Sequence, residues 1–89
     1  MKNDYVNFTN SNLKYLREKK KITQEKVSKD LKIDQSTIGK WESNSRKITL
    51  DWAIRLSQYF EVNIGDFISK NMKEESTYSK RKKDSKNDI

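Results

Sequence analysis

Apolar residues recur at helical spacing over most of this chain, and capping residues punctuate the runs. Leu13 and Leu16 form the inward edge of a first segment, Val27 and Leu31 stand i, i+4 in a second, and Ile38 and Trp41 stand i, i+3 in a third. A fourth segment carries Leu50, Ala53, Ile54, Ser57 and Phe60 on one stripe, and Phe67 is the inward residue of a short fifth. Before each run stands a residue whose side-chain oxygen can accept a free amide at a helix start: Thr9, Thr23, Asp34, Thr49 and Asn63. The pattern predicts helices from Thr9 to about Lys20, Gln24 to Leu31, Gln35 to Ser43, about Leu50 to Phe60, and Ile64 to Ile68. Phe8 and Leu13 are placed to form a hydrophobic staple around a Thr9 cap. Strand signals and proline are both absent, so the expected fold is all-α, a compact five-helix domain.

Composition limits how much of the chain this domain can occupy. Hydrophobic residues make up 31 % and charged ones 37 % of 89 residues, a low apolar share that implies a portion outside any core. Apolar residues thin out after Ile68, where only Met72, Tyr78 and Ile89 interrupt a polar run. The chain therefore divides into an N-terminal arm at 1–9, a folded domain at 10–68, and a flexible basic C-terminal tail at 69–89, expected to be mostly disordered after one more helical turn.

The charge of +7 points to a polyanion, most simply nucleic acid. It is not a property of the tail alone: residues 10–68 carry +4 and residues 69–89 carry +3. The tail cluster Lys80 to Lys83 reads either as added phosphate contacts or as a solubilising end.

With neither cysteine nor histidine, disulfides, thiolate zinc sites and Ser-His-Asp chemistry are excluded. No glycine-rich phosphate loop is possible with Gly39 and Gly65 as the only glycines. Nor are paired carboxylates placed in a predicted pocket, so the chain is read as a non-enzyme needing no cofactor and no metal. The N-terminus "MKNDYVNFTNSN" has no apolar run, and no stretch is long enough to span a membrane. A cytoplasmic protein is expected.

Only Lys32, Ile33 and Asp34 join the second and third helices. A link so short favours a steep crossing, the helix-turn-helix, with Val27, Leu31, Ile33, Ile38 and Trp41 as the sites to be buried. The chain here resembles the lambda-repressor-like helix-turn-helix family, which includes Cro, the phage repressors (XRE type) and restriction–modification controller proteins. The resemblance rests on "LKYLREKKKITQEKVSKDLKIDQSTIGKWE" followed by "LDWAIRLSQYFEVNIGDFI". Two positions depart from the family pattern. Ser28 stands where alanine is usual, and Lys32 stands where glycine is usual, with a strain on the order of 1 kcal/mol if it is left-handed.

With Ile38 and Trp41 turned inward, Gln35, Ser36, Gly39, Lys40 and Ser43 fall on the opposite face of the third helix. The resemblance implies that this face enters the major groove. Gln35 would then pair with adenine, Ser36 with either base type, and Lys40 with guanine or a phosphate. It further implies phosphate contacts from Arg17, Thr23, Gln24, Thr37, Asn44, Arg46 and Lys47, the last three against a rival reading as solvated loop residues. Arg17 follows Leu13 by four and Glu42 follows Ile38 by four, so both lie on inward helix edges and should pair. Some family members carry such a bridge, its arginine also reaching phosphate.

Trp41 fits the core stripe better than a base-stacking role. Trp52, Tyr59, Ile64 and Ile68 exceed what so small a core needs and suggest a homodimer through the fifth helix and the loop before it. The resulting reading is a sequence-specific transcriptional regulator, a repressor or controller, binding a palindromic operator in double-stranded DNA. The competing reading is a helix-turn-helix antitoxin or adaptor whose main role is to bind a protein partner.

Overall fold

The computed structural model describes residues 7–74. Five helices follow in chain order: α1 (Thr9–Lys19), α2 (Gln24–Leu31), α3 (Gln35–Glu42), α4 (Leu50–Tyr59) and α5 (Ile64–Ser69). A further helical segment starts at residue 72, and no strand occurs among the described residues. Helix α1 packs against both α3 and α5, α2 packs on α3, and α4 on α5. Leu13, Leu16, Val27, Ile38, Trp41, Ile48, Ala53, Leu56, Phe60 and Phe67 form the buried core between them. The basic cluster Lys80 to Lys83 lies outside the described residues.

Three of the five expected caps are made: Thr23, Thr49 and Asn63 accept the amides of Lys26, Trp52 and Asp66. The other two differ. Asp34 stands at the N-cap of α3 without a side-chain bond, its carbonyl taking the amides of Thr37 and Ile38 instead. At α1 the N-cap is Phe8, not Thr9. Thr9 begins the helix and is buried, because Asn7 Oδ1 accepts both its amide at 2.8 Å and its hydroxyl at 2.6 Å. An asparagine two residues upstream thus does the capping, and the staple pairing built on a Thr9 cap does not apply.

Helix α4 is turned about its axis relative to the expected stripe. Ala53, Leu56, Ser57 and Phe60 are buried, an i, i+3, i+4, i+7 face centred nearer Leu56. Leu50 and Ile54, expected inward, are exposed at 63 % and 39 %. With Leu56 fully buried, the inward face of α4, which packs on α5, turns away from Leu50 and Ile54. Of the five expected helix-turn-helix core sites, Val27, Ile38 and Trp41 are buried, whereas Leu31 and Ile33 are half-buried. These two sit at the end of α2 and in the turn, where solvent reaches one side.

Four helix ends share one device. Lys21, Lys32, Asn44 and Glu61 are left-handed, with φ of 59°, 57°, 69° and 58°. In each case the next amide reaches back five residues: Ile22 to Arg17 O, Ile33 to Ser28 O, Ser45 to Lys40 O and Val62 to Ser57 O. This satisfies a terminal carbonyl and reverses the chain at once. Ile22, Ile33 and Val62 are thereby returned to pack against the core. None of the four left-handed residues is glycine, and each bears a strain of about 1 kcal/mol. Lys32→Gly is expected to raise unfolding stability by about 0.5 kcal/mol, the relieved strain exceeding the added unfolded-state entropy. Urea titration checks this, and a lower midpoint would contradict it.

Asn12 extends the packed unit beyond residue 68. It is buried in α1, donates Nδ2 to Phe67 O and Lys70 O at 2.7 Å each, and accepts the Met72 amide at 3.2 Å. The segment 67–72 is held to α1 by one side chain with its polar atoms paired.

Candidate functional site

Left-handed Lys32 ends α2, and only Ile33 and Asp34 separate it from α3, which packs on α2. Ile38 and Trp41 anchor the inner face. Gln35, Ser36, Lys40 and Ser43 are exposed and Gly39 is half-buried, so the five positions read as base-facing do share one outer surface. Ser43 is partly committed, its hydroxyl lying 3.2 Å from Lys40 O and 2.8 Å from the Ser45 hydroxyl. Lys40 has no ion-pair partner among the described residues. A methyl group at Gly39 would meet nothing closer than Gln24 Oε1 at 3.9 Å, ordinary van der Waals distance. Nothing within the described chain therefore requires glycine there, although it weakens a helix by about 1 kcal/mol relative to alanine.

Behind this surface lies a polar network centred on Glu42. Arg17 Nε donates to Glu42 Oε2 at 2.6 Å and Arg17 Nη2 to Oε1 at 2.9 Å, a bidentate pair joining α1 to α3. The third arm of the guanidinium, Nη1, donates to Ile22 O at 2.9 Å. Gln24 Nε2 adds a bond to Glu42 Oε1 at 3.0 Å. The side chains of Arg17 and Glu42 are only 14 % and 4 % exposed, so the pair is largely screened from water. The hydrogen bonds to Glu42 raise the Arg17 pKa further above its ordinary value against the opposing effect of burial. Three of the five guanidinium N–H groups are used within the chain, leaving two.

The remaining phosphate candidates fall in two groups. Thr23 and Gln24 stand together at the start of α2, Thr23 as its cap. Asn44, Arg46 and Lys47 are exposed in the loop after α3, and Thr37 is half-buried on α3 itself. The loop is not left loose: Asn10 Nδ2 donates to Trp41 O and to Arg46 O at 2.8 Å each. Periodicity alone overlooked Asn10. The usable signal was its spacing, i−7 from Arg17, which puts it on the same side of α1, facing α3.

The far end of α2 is fastened to α4. Tyr59 donates its hydroxyl to Asp30 Oδ2 at 2.6 Å, and Lys26 Nζ lies 3.2 Å from the same oxygen. Burial first, and then this hydrogen bond, push the Tyr59 pKa up to about 12. The bond to Tyr59, then Lys26, hold Asp30 below the usual aspartate value. A phenol raised in the folded state contributes stability fully present below its unfolded pKa of about 10 and lost as pH rises through the folded value. The melting temperature should therefore fall between about pH 10 and pH 12, and fall less steeply in Tyr59→Phe. Parallel curves for the two proteins would contradict the tie.

The surplus apolar residues find contacts inside the chain. Trp52 lies 5.6 Å from Trp41, ring centre to ring centre, tilted by 55°, and Tyr59 meets Phe60 edge-on at 5.0 Å. Ile64 and Ile68 are half-buried against the core. Among the described residues no helix is long and apolar enough to cross a membrane.

The family model for helix-turn-helix proteins of the XRE, lambda-repressor-like type matches residues 13–67. That span runs from the first core leucine of α1 to the buried Phe67 of α5. No curated protein matches the chain.

Proposed function

Because the chain belongs to the XRE-type, lambda-repressor-like helix-turn-helix family, a family of DNA-binding regulatory domains, we propose that it is a sequence-specific transcriptional regulator, acting as a repressor or controller on a palindromic operator. Helix α3 enters the major groove with Gln35, Ser36, Gly39, Lys40 and Ser43 toward the bases. Gln35 suits adenine through its amide, and Lys40 suits guanine or a phosphate. Thr23, Gln24 and Thr37 on one side, and Asn44, Arg46 and Lys47 on the other, grip the backbone. The two spare N–H groups of Arg17 reach a phosphate between these clamps, so the bridge to Glu42 orients a DNA contact as well as joining two helices.

The observation that carries this reading is Gly39. A glycine in mid-helix, on an outer polar face where the chain itself has room for a side chain, is a local penalty without an internal reason. Such penalties are expected where a partner must come close. DNA is the partner that the surrounding Gln, Ser and Lys side chains fit.

The test is a shift assay on duplexes selected from a random pool, repeated across salt concentrations. Specific binding in the nanomolar range, with log affinity falling steeply against log salt, is expected. Weak binding that ignores sequence, together with a tight protein partner, would move the function to protein interaction.

A further inference from the structure

Between two buried anchors, Trp41 in α3 and Ile48, the chain runs through the exposed loop 43–47. The loop's own backbone bonds are local: the amides of Ser45 and Arg46 both reach Lys40 O, and the Asn44 amide reaches Trp41 O. Asn10 is different, because it comes from α1, 31 and 36 residues away from its two partners in sequence. Its Nδ2 donates to Trp41 O and to Arg46 O at 2.8 Å each, so one nitrogen closes the loop at both ends. The position therefore needs two donors on one atom of a short side chain. Asparagine supplies them, whereas serine offers one donor and aspartate none.

The loop so closed carries Asn44, Arg46 and Lys47, all exposed. Arg46 and Lys47 form no ion pair among the described residues. Pairing the backbone to both α3 and α1 holds these side chains at a set distance from α3. Seven residues after Asn10 on α1 stands Arg17, bonded to Glu42. Helix α1 thus grips α3 through Arg17 and the loop after α3 through Asn10, two turns away.

We infer that Asn10 is a positioning residue for DNA binding: it orders the phosphate-contacting loop 43–47 before DNA arrives, strengthening binding without choosing the bases. The DNA half of this rests on the reading proposed above; the ordering of the loop stands apart from it. A loop in the binding conformation only about a tenth of the time would weaken association about tenfold. Without Asn10, Trp41 O keeps the Asn44 amide and the exposed Arg46 O is left to water, so the fold itself should stand.

The first test uses no DNA. Trypsin cuts after Arg46 and Lys47 when the loop opens, and in Asn10→Ala and Asn10→Asp these cuts should come about tenfold faster than in the wild type. Cuts after Lys19, Lys20 and Lys21 should keep the wild-type rate. Asn10→Asp guards against a simple folding defect: it preserves size and adds a carboxylate to the first turn of α1, where none stands and where a helix favours one. The second test uses a duplex selected by the wild type. Asn10→Ala should bind it about tenfold more weakly, with the same base preference at every position. In protein already carrying Arg46→Ala and Lys47→Ala the same change should cost less than about twofold, because the contacts that Asn10 positions are gone. Wild-type cutting rates in both variants overturn the proposal. So does an altered base preference in Asn10→Ala, or an undiminished loss in the doubly substituted background, which would mean that Asn10 touches DNA itself. Absence of specific binding by the wild type would remove the operator reading, and the trypsin rates would still decide whether Asn10 holds the loop.

Discussion

Replacing Glu42 with alanine is expected to lower unfolding stability by about 3 kcal/mol, because it leaves a screened guanidinium without its main partner. Arg17 would lose two of its three intramolecular bonds, and Gln24 would lose the one that fixes its amide. For a domain of this size the loss corresponds to a fall in melting temperature on the order of 15 °C. Glu42→Gln should fall between, since its amide oxygen keeps one acceptor but not the charge. The double variant Arg17→Ala with Glu42→Ala should be less destabilised than the two single losses together, because no unpaired charge remains. Calorimetry on the wild type, Arg17→Ala, Glu42→Ala and the double variant gives the coupling directly. An unchanged melting temperature in Glu42→Ala would show that the pair contributes nothing.

Gly39→Glu is expected to separate folding from binding. Helix propensity favours glutamate over glycine by about 0.5 kcal/mol, and the like-charged Glu42 three residues on removes a few tenths of this. The melting temperature should therefore stay close to that of the wild type. Specific binding to a selected duplex should fall by about a thousandfold, to the level of nonspecific association, because a carboxylate would lie between the bases and their readers. Gly39→Ala is the companion: it should melt higher and bind less tightly. Retained specific binding by Gly39→Glu would place the reading surface elsewhere on the molecule.

The helices and their order were legible because caps and apolar spacing agree at α2, α3, α4 and α5. The Arg17–Glu42 geometry was legible for a different reason, since both residues follow a core residue by one turn. What escaped was information that periodicity does not hold. Asn7, Asn10 and Asn12 each use a side-chain amide to close carbonyls or amides brought near by tertiary packing, and an asparagine on a helix surface looks the same whether or not a partner is close. The rotation of α4 was missed because Leu50, Ile54 and Leu56 are similar in hydrophobicity, and only the position of α5 decides which is covered. At the candidate site, helical geometry alone identified the outer face of α3. It could not show that Gln24 lies against Gly39, a neighbour set by the left-handed turn at Lys32.

Base reading by α3 can be checked by comparing the DNA that each of two proteins selects from one random pool. Wild-type protein should return a palindrome with its half-sites about one helical turn apart. Gln35→Ala should return the same palindrome with discrimination relaxed at one position in each half-site, the change appearing symmetrically. An identical preference at every position from both proteins, or no enriched sequence from the wild type, would show that α3 does not read bases through Gln35.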